Sequence, residues 1–347
     1  MKREDEGLAF LLRYENVAWY ENGKVRILDR RVYPLRTEYV VCESHREVAQ
    51  AIADMVTQSG GPYTAAAMGM ALAAHEARNK PADEFMEYMK QAAYTLSHAR
   101  PTTMKKMAKV VEDSLVAAEK ALSQGEKVDE ALFQHAVEKA NERYRKSAKI
   151  ARYLADKIPM GGTVMTQCFA ETAVGMLFRE LRSRGNAAKV ICPETRPYLQ
   201  GARLTASVAL DMGFDVTVIT DNMPGYVLKA RKVDVFTSAA DVITMDGHIV
   251  NKIGTFQIAV LANYWGIPYF VTGTPNPEHP TIDTVEIEER DPELVLDALG
   301  TRTAKQGVKG FYPAFDITPP NLCDGVVTDK GIFPAFDLKR YFEGQKE

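Results

Sequence analysis

The pattern of apolar and polar residues changes type near residue 160. Before that point, apolar residues recur at helical spacing over long stretches, as in Val48, Ile52 and Val56. After it, short β-rich runs alternate with helical stretches. These runs cover residues 163–166, 189–192, 216–220, 233–237 and 269–272. The alternation predicts an α/β domain in which parallel strands are joined by crossover helices.

The N-terminal part of the chain predicts a small domain of mixed strands and helices. Asn22-Gly23 lies between two β-rich runs, which is a hairpin signal. A helix is expected to begin at Ser44, and an alanine-rich helix from about Thr64, where small side chains allow close packing. Ser59-Gly60-Gly61-Pro62 stands between them. Base rates favour a plain helix–helix turn there, and the alternative is an anion site of exposed amides beside a helix N-terminus.

Long amphipathic helices are predicted between residues 103 and 157, with a break at Ser123-Gln124-Gly125. We place the domain boundary near Lys127. This gives an N-terminal mixed strand and helical domain, residues 1–127, and a Rossmann-like domain with a doubly wound parallel sheet, residues 128–347. We expect the active site to lie between the two domains.

Composition and charge argue against several classes of function. The chain has 347 residues, a net charge of -3 and no basic run, so a nucleic-acid partner is not expected. Its longest apolar stretch, Thr64 to Ala74, is too short to span a membrane. Four dispersed cysteines without a CxxC pair fit free thiols in a reducing cytoplasm, and no metal-site or nucleotide-binding motif is present.

Polar or special residues follow each predicted strand of the second domain. They are Cys168, Glu194 to Pro197, Asp221-Asn222, Asp241 and Gly273-Thr274. Ligands of open parallel sheets bind at the carboxyl ends of the strands. Five such coincidences in one domain therefore predict a polar pocket along one sheet edge, and with it an enzyme.

Three positions are candidates for chemistry, each with a plain structural alternative. Cys168 stands at a strand end, although a free cysteine is usually a small buried apolar residue. Small and apolar neighbours of Asp241 predict a poorly solvated carboxyl with a raised pKa, suited to a general acid; the alternative is a turn-capping aspartate. Asn251-Lys252 is expected to open a helix whose amides and cation suit a phosphate, unless the lysine is simply solvated.

Several segments together resemble the methylthioribose-1-phosphate isomerase family. They include ARPTT, MTQCFAETA, PETRPYLQGARLTA, AADVITMDGHIVNKIGT, IEERDP and FYPAFDITPPNLCDGVVTDKG. That family belongs to a wider group with ribose-1,5-bisphosphate isomerase and the regulatory subunits of eukaryotic translation initiation factor 2B. The resemblance runs nearly from end to end, and IEERDP with the DITPP tail favours the methylthioribose branch.

The resemblance implies an aldose–ketose isomerase that converts S-methyl-5-thioribose 1-phosphate to S-methyl-5-thioribulose 1-phosphate, a step of methionine salvage. It also implies a homodimer and no cofactor or metal. The catalytic pair that it implies is Cys168 and Asp241. The substrate-binding residues that it implies are Ser59, Gly60, Gly61, Arg100, Gln200, Asn251 and Lys252.

The 1-phosphate locks the sugar ring, so an acid must protonate the ring oxygen before hydrogen moves from C2 to C1. Asp241 is the candidate acid. Cys168 is the candidate base, and we expect its thiolate to be favoured near a helix N-terminus. The hydrogen can move as a proton or as a hydride, and the sequence leaves both open.

Two departures from the family pattern affect the substrate shell. Family members usually carry Arg-Gly-Ala-Pro where this chain has Ser59-Gly60-Gly61-Pro62, and Asn-Ala-Gly where it has Phe169-Ala170-Glu171. We therefore expect a wall near Cys168 that is more apolar, less cationic and more acidic. Alternative functions are isomerisation of 5-deoxyribose 1-phosphate or ribose 1,5-bisphosphate, or a non-catalytic regulatory subunit.

Overall fold

The computed structural model describes residues 3–100 and 104–343. The chain divides into two compact units, Met1–Arg145 and Lys146–Glu347. The division lies inside a continuous helix, Val128–Ala155, whereas the sequence placed the boundary just before that helix begins. No change of composition marks the dividing point within the helix, so the sequence offers no signal for it.

The first unit, called the helical unit, contains an antiparallel sheet in the order β1-β2-β3. Its strands are β1 (Ala18–Glu21), β2 (Lys24–Leu28) and β3 (Tyr39–Cys42). Asn22 and Gly23 connect β1 to β2 with φ of 52° and 73°. Two consecutive residues with positive φ match the twist of a tight hairpin, and the predicted hairpin is confirmed.

The helices follow the predicted pattern closely. They are α1 (His45–Ala53), α2 (Gly61–Ala77), α3 (Ala82–Ser97), α4 (Met104–Ser123) and α5 (Val128–Ala155), after single 3₁₀ turns at Phe10–Leu12 and Tyr14–Asn16. Ser44 caps α1 by accepting a hydrogen bond from the amide of Glu47. A Cβ added to Gly69 in α2 would lie 3.0 Å from Leu96 and 3.1 Å from Val48, so the small side chains do allow close packing.

The second unit, called the sheet unit, carries the remaining strands. In chain order they are β4 (Thr163–Met165), β5 (Lys189–Pro193), β6 (Asp215–Ile219), β7 (Val235–Ala239), β8 (Val242–Ile243), β9 (Ile249–Lys252), β10 (Tyr269–Thr272), β11 (Asp297–Ala298), β12 (Thr301–Arg302), β13 (Phe315–Thr318), β14 (Gly325–Thr328) and β15 (Gly331–Phe333). Its helices are α6 (Thr172–Ser183), α7 (Ala206–Asp211), α8 (Pro224–Ala230), α9 (Thr255–Tyr264), α10 (Glu293–Leu296) and α11 (Arg340–Glu343), with 3₁₀ turns at Ile282–Thr284 and Pro320–Leu322.

The main sheet has the order β15-β14-β10-β7-β4-β5-β6. All its neighbouring strands run parallel except β15, which lies antiparallel on β14. Counted along the chain, the six parallel strands stand in the order three, two, one, four, five, six. This is the doubly wound Rossmann order, so the predicted fold class is confirmed. The strand order reverses between β4 and β7.

The central strands are buried on both faces, as parallel strands covered by helices must be. Met165, Phe236 and Val271 are completely buried, one on each of β4, β7 and β10. A second antiparallel sheet, β13-β9-β8, stands beside the main one. Within residues 3–100 and 104–343, no helix is both long enough and apolar enough to cross a membrane.

Candidate active site

Cys168 and Asp241 leave adjacent parallel strands at the point where the strand order reverses. Cys168 follows β4 and Asp241 follows β7, and these two strands pair with Met165 opposite Phe236. The crevice at such a switch point is where open α/β sheets bind their ligands. The prediction that both residues stand at strand ends on one edge is therefore confirmed.

The backbone of Cys168 is held in an unusual conformation. Its φ is 58°, in the left-handed region that residues with a side chain rarely adopt. The amide of Cys168 donates a 3.2 Å hydrogen bond to Oγ1 of Thr195, and its carbonyl accepts one from the hydroxyl of Thr205. The amide of Thr195 in turn donates to Asp221 at 2.8 Å. Hydrogen bonds thus connect the loops that follow β4, β5 and β6, and they hold the backbone of Cys168 in place.

Groups around Cys168 shift the pKa of its thiol in opposite directions. Burial is the main reason that the pKa of this thiol is raised to about 11, and the charge of Asp241 acts in the same direction. Lys252, the Phe169 amide and Arg290 lower it, in that order. The thiolate is therefore disfavoured in the free protein, and the prediction that a nearby helix N-terminus favours it is wrong because desolvation outweighs that help.

Asp241 differs from its predicted environment. Its side chain is exposed in the described structure, so the prediction of a poorly solvated carboxyl is wrong. The backbone explains the difference, since the amide of Asp241 donates to the carbonyl of Val250 at 2.9 Å and the following residues enter β8. Ile243, which the sequence placed around this carboxyl, is buried in the hydrophobic core of the sheet unit.

Lys252 lies at the end of β9 and not, as predicted, at the start of a helix. Its side chain is 5% exposed, so the alternative of a solvated lysine is wrong. Nζ of Lys252 donates to the carbonyl of Ala314 at 3.1 Å and stands 4.5 Å from the centre of the Phe315 ring. Asn251, equally buried, donates from Nδ2 to Oγ1 of Thr255 at 3.0 Å.

A carboxylate of the protein itself is already bound at the N-terminus of α9. The carboxylate of Asp316 accepts hydrogen bonds from the amides of Gly254 at 2.7 Å and Phe256 at 3.1 Å. Two of the amides that the sequence left free for a phosphate are therefore already bonded within the protein, and phosphate binding at this helix stays a prediction. Burial raises the pKa of Asp316 to about 6, although these amides and Lys252 lower it. Asp316 belongs to the DITPP segment, to which the sequence assigned no role.

Two glutamines present buried oxygens. Oε1 of Gln167 and Oε1 of Gln200 have no hydrogen-bond partner within residues 3–100 and 104–343. Gln200 precedes a wide π-helical turn, Gly201–Thr205, that leads into α7. Only glycine fits at Gly201, because an added Cβ would lie 1.8 Å from the carbonyl oxygen of Pro193. Buried acceptors without partners near a strained loop are characteristic of binding sites.

Several aromatic side chains and a buried arginine near the thiol were not among the residues predicted from the sequence. Arg290 is 9% exposed on its side chain and forms two 3.0 Å hydrogen bonds to Glu288. Its guanidinium stands 5.9 Å from the Tyr198 ring and 5.4 Å from the Phe315 ring. Burial raises the pKa of Tyr312 to about 12, and the charge of Cys168 acts in the same direction. The IEERDP segment, which contains Arg290, was the available signal.

The remaining predicted ligands belong to the helical unit. Ser59 is exposed with φ of 60°, and Arg100 is half-buried. The amide of Gly61 donates to the carbonyl of Gln58 at 3.1 Å, so it is already used within the turn. The sequence also predicts that Pro101 opens the helix that follows Arg100, and this position lies outside the described residues.

The segment after the thiol that departs from the family pattern has two large side chains, and both are buried. Phe169 is 4% exposed, and Glu171 is 1% exposed with φ of 40°. An apolar wall and an added carboxyl beside the loop agree with the expectation from the sequence. The charges of Lys252 and Arg290 still act on the thiol, so the surroundings of Cys168 are not stripped of cations.

Fold and site together define a protein with a Rossmann-type sheet that carries a thiol and a carboxyl at its switch point. The family model described as "Initiation factor 2 subunit family" matches residues 59–335. The chain belongs to this family, and the resemblance seen in the sequence is confirmed.

Its relatives include enzymes by name. It is 37% identical over 346 residues to the methylthioribose-1-phosphate isomerase of Thermotoga neapolitana, covering 94% of this chain and 97% of that protein. The enzyme of the same name from Thermosipho africanus is 38% identical, with coverages of 91% and 95%.

Two solved structures are similar along almost their whole length. The 5-methylthioribose 1-phosphate isomerase of Pyrococcus horikoshii OT3 matches with a TM-score of 0.83 and 29% identity, covering 96% of this chain and 98% of that one. The structure titled translation initiation factor eIF-2B, subunit delta, from A. fulgidus matches with a TM-score of 0.81 and 32% identity, covering 92% and 96%.

Proposed function

We propose that this protein is an aldose–ketose isomerase that converts S-methyl-5-thioribose 1-phosphate to S-methyl-5-thioribulose 1-phosphate. The observation that carries the proposal is the placement of Cys168 and Asp241 after adjacent strands at the sheet's switch point. A thiol and a carboxyl so placed supply two groups that can exchange protons with one bound sugar. The names of its close relatives support the same reaction.

Ring opening is the first chemical requirement. The 1-phosphate blocks the anomeric carbon, so no free aldehyde can form. Once the ring oxygen is protonated, the bond between C1 and that oxygen can break, which leaves C1 as an electron-poor oxocarbenium carbon that still carries the phosphate. Asp241 is the proposed acid for this step. Its exposure in the free protein keeps the carboxyl accessible to a substrate.

Hydrogen transfer from C2 to C1 is the second requirement. We assign Cys168 to this step, where it acts as the base. Because burial holds the thiol neutral in the free protein, Lys252, the Phe169 amide and Arg290 are the groups that offset this penalty when the thiolate forms. The productive state therefore has Cys168 deprotonated while Asp241 carries a proton, and the charge of each group influences the other.

Substrate recognition is assigned to groups around this pair. Lys252 supplies a buried cation for the phosphate, and the unpartnered oxygen of Gln200 suits a sugar hydroxyl. Asn251 supports the end of β9 through Thr255. Contacts from Ser59, Gly60, Gly61 and Arg100 stay predictions of the family resemblance.

The substrate is tested by incubating the purified protein with three sugars and following ketose formation by NMR. They are methylthioribose 1-phosphate, 5-deoxyribose 1-phosphate and ribose 1,5-bisphosphate. We expect the first to give the highest kcat/KM. A preference for either other sugar would transfer the proposal to that substrate, and no turnover of any would favour a regulatory subunit.

We propose further that the protein is a homodimer. Large apolar side chains stand exposed on α8 and α9, including Tyr226 at 80% and Tyr264 at 75%. Aromatic residues, tyrosine among them, are enriched in protein–protein interfaces. Light scattering should give twice the chain mass of 38.6 kDa, and the chain mass itself would contradict the proposal.

We also assign the protein to the cytoplasm. All four cysteines are free thiols, and three of them are buried, which fits a reducing compartment. Fractionation of the native host should therefore recover the protein with cytoplasmic enzymes, and recovery with secreted or envelope proteins would contradict the assignment.

A further inference from the structure

The helical unit contains a cavity that the proposed reaction does not use. Its volume is about 300 Å³, and residues of α2, α4 and α5 line it. A single water occupies only about 30 Å³, and ligand sites begin at roughly 300 Å³. The cavity is therefore large enough for a small organic molecule.

The polar lining of this cavity is predominantly cationic. Lys106, Lys139 and Arg143 contribute positive charges, while Asp113 contributes one carboxylate. Asp113 is paired with Lys109, whose Nζ lies 2.9 Å from Oδ1. Lys139 is also paired, with Asp113 at 3.8 Å and with Glu142 at 3.2 Å, so the four cations of this group face two carboxylates. The excess of positive charge favours a ligand with a negative group.

Two buried nitrogen atoms of the lining have unused hydrogen-bonding capacity. Nε of Arg143 and Nε2 of His135 are buried, and neither has a hydrogen-bond partner within the described ranges 3–100 and 104–343. The rest of the Arg143 guanidinium is fixed, because it donates to the carbonyl of Gly60 at 3.0 Å and to Oγ1 of Thr64 at 3.1 Å. The guanidinium is thus held in place at the cavity wall, and its positive charge favours an anionic group in the cavity.

The remaining wall is apolar. Val110, Ala136 and Ala140 line the cavity between the charged groups. Small side chains on α5 keep the space open, since a larger residue at Ala140 would enter it. An apolar wall with few polar groups is the usual composition of a small-molecule site.

We propose that this cavity binds a small organic anion, a carboxylate or phosphate monoester with an apolar body, and that Arg143 anchors its charged group. The proposal does not depend on the proposed isomerase reaction. It assigns a ligand site that is formed by residues of the helical unit alone.

The proposal is tested by calorimetric titration of the full-length protein with phenyl phosphate, benzoate and benzyl alcohol. The first two carry the expected charge, and the third is a neutral molecule of similar shape. We expect saturable binding of at least one anion with a Kd of about 1 mM or tighter, and much weaker binding of benzyl alcohol. No saturable binding of either anion, or equal binding of the alcohol, would overturn the proposal.

Substitutions in the cavity wall test whether the anion binds in this cavity. Ala140→Leu fills the cavity without changing a charge, and Arg143→Met removes the anchor; each should weaken anion binding by about tenfold or more. Arg145→Met is the matched control, because Arg145 pairs with Glu138 and does not line the cavity. If Arg143→Met fails to fold, Lys139→Met replaces it. Binding that survives Ala140→Leu unchanged would belong to another site and overturn the proposal.

Discussion

The backbone amide of Cys168 donates a 3.2 Å hydrogen bond to Oγ1 of Thr195. Both residues have positive φ, 58° and 64°. Thr195 is anchored in turn, because its amide and that of Arg196 donate to the two carboxylate oxygens of Asp221, at 2.8 and 2.6 Å. The loop after β5 thus acts as a brace for the loop that carries the thiol.

Replacement of Thr195 by valine should lower kcat without unfolding the protein. Valine keeps the shape of the side chain but removes the acceptor, at a cost of about 1 kcal/mol, which corresponds to roughly a fivefold loss of rate. Steady-state kinetics and circular dichroism measure the two effects. Thr301→Val, at an exposed position on β12, is the control. An unchanged kcat would show that the brace does not position the thiol.

Alkylation of Cys168 by iodoacetamide should accelerate with pH up to about 11. Only the thiolate reacts, so each pH unit below the pKa reduces the rate about tenfold. Lys252→Met should slow the reaction at fixed pH because it removes the charge that lowers this pKa, whereas Lys189→Met, at an exposed position, should not. Peptide mass spectrometry separates Cys168 from the other cysteines. A midpoint below the ordinary value of about 8.5 would contradict the account.

Asp316→Asn should change how stability depends on pH. Burial raises the folded-state pKa of Asp316 to about 6, above an ordinary value of about 3.9. A raised pKa means that this group's contribution is complete below about pH 4 and is lost as pH rises through 6. The free energy of unfolding of the natural protein should therefore fall, relative to the variant, by about 1–3 kcal/mol between pH 4 and 7.

Urea unfolding at several pH values measures this difference. Asp211→Asn, which alters an exposed carboxyl, is the control and should show no such trend. A difference that stays constant, or that grows in favour of the natural protein as pH rises, would show that burial does not dominate at Asp316.

Gln200→Leu should impair substrate binding while leaving stability unchanged or raised. Its Oε1 is buried without a partner among residues 3–100 and 104–343, so removing it eliminates a desolvation cost in the free protein. The same oxygen is the proposed acceptor for a sugar hydroxyl, and its loss should raise KM by about tenfold. Gln124→Leu, in an exposed turn, serves as control. Lower stability with unchanged KM would assign Gln200 a structural role.

The fold was largely predictable because it depends on local patterns. Apolar runs of four or five residues gave the strands β4, β5, β6, β7 and β10, and the hairpin at Asn22-Gly23 followed from turn chemistry. Strand β14 was missed because only a short apolar stretch, Val326-Val327, stands between Gly325 and polar residues. The division inside α5 depends on packing, which a continuous helical pattern does not reveal.

The sequence was sufficient to name the candidate residues of the site, but it did not predict how buried they are or which groups they contact. The burial of Lys252 and the capping of α9 both depend on the pairing of β13 with β9, between segments 62 residues apart in the chain. No local pattern encodes such a contact. The setting of Asp241 depends on a shorter-range contact, the hydrogen bond from its amide to the carbonyl of Val250 on β9.

The central claim is that Cys168 and Asp241 catalyse the isomerisation of methylthioribose 1-phosphate. The most direct test is the rate of ketose formation, followed by NMR, for the natural protein and for Cys168→Ser and Asp241→Asn at matched folded concentrations. We predict turnover by the natural protein and a loss of at least about 10²-fold in each variant, the usual contribution of one acid–base group. Near-natural turnover in either variant, or none in the natural protein, would contradict the account.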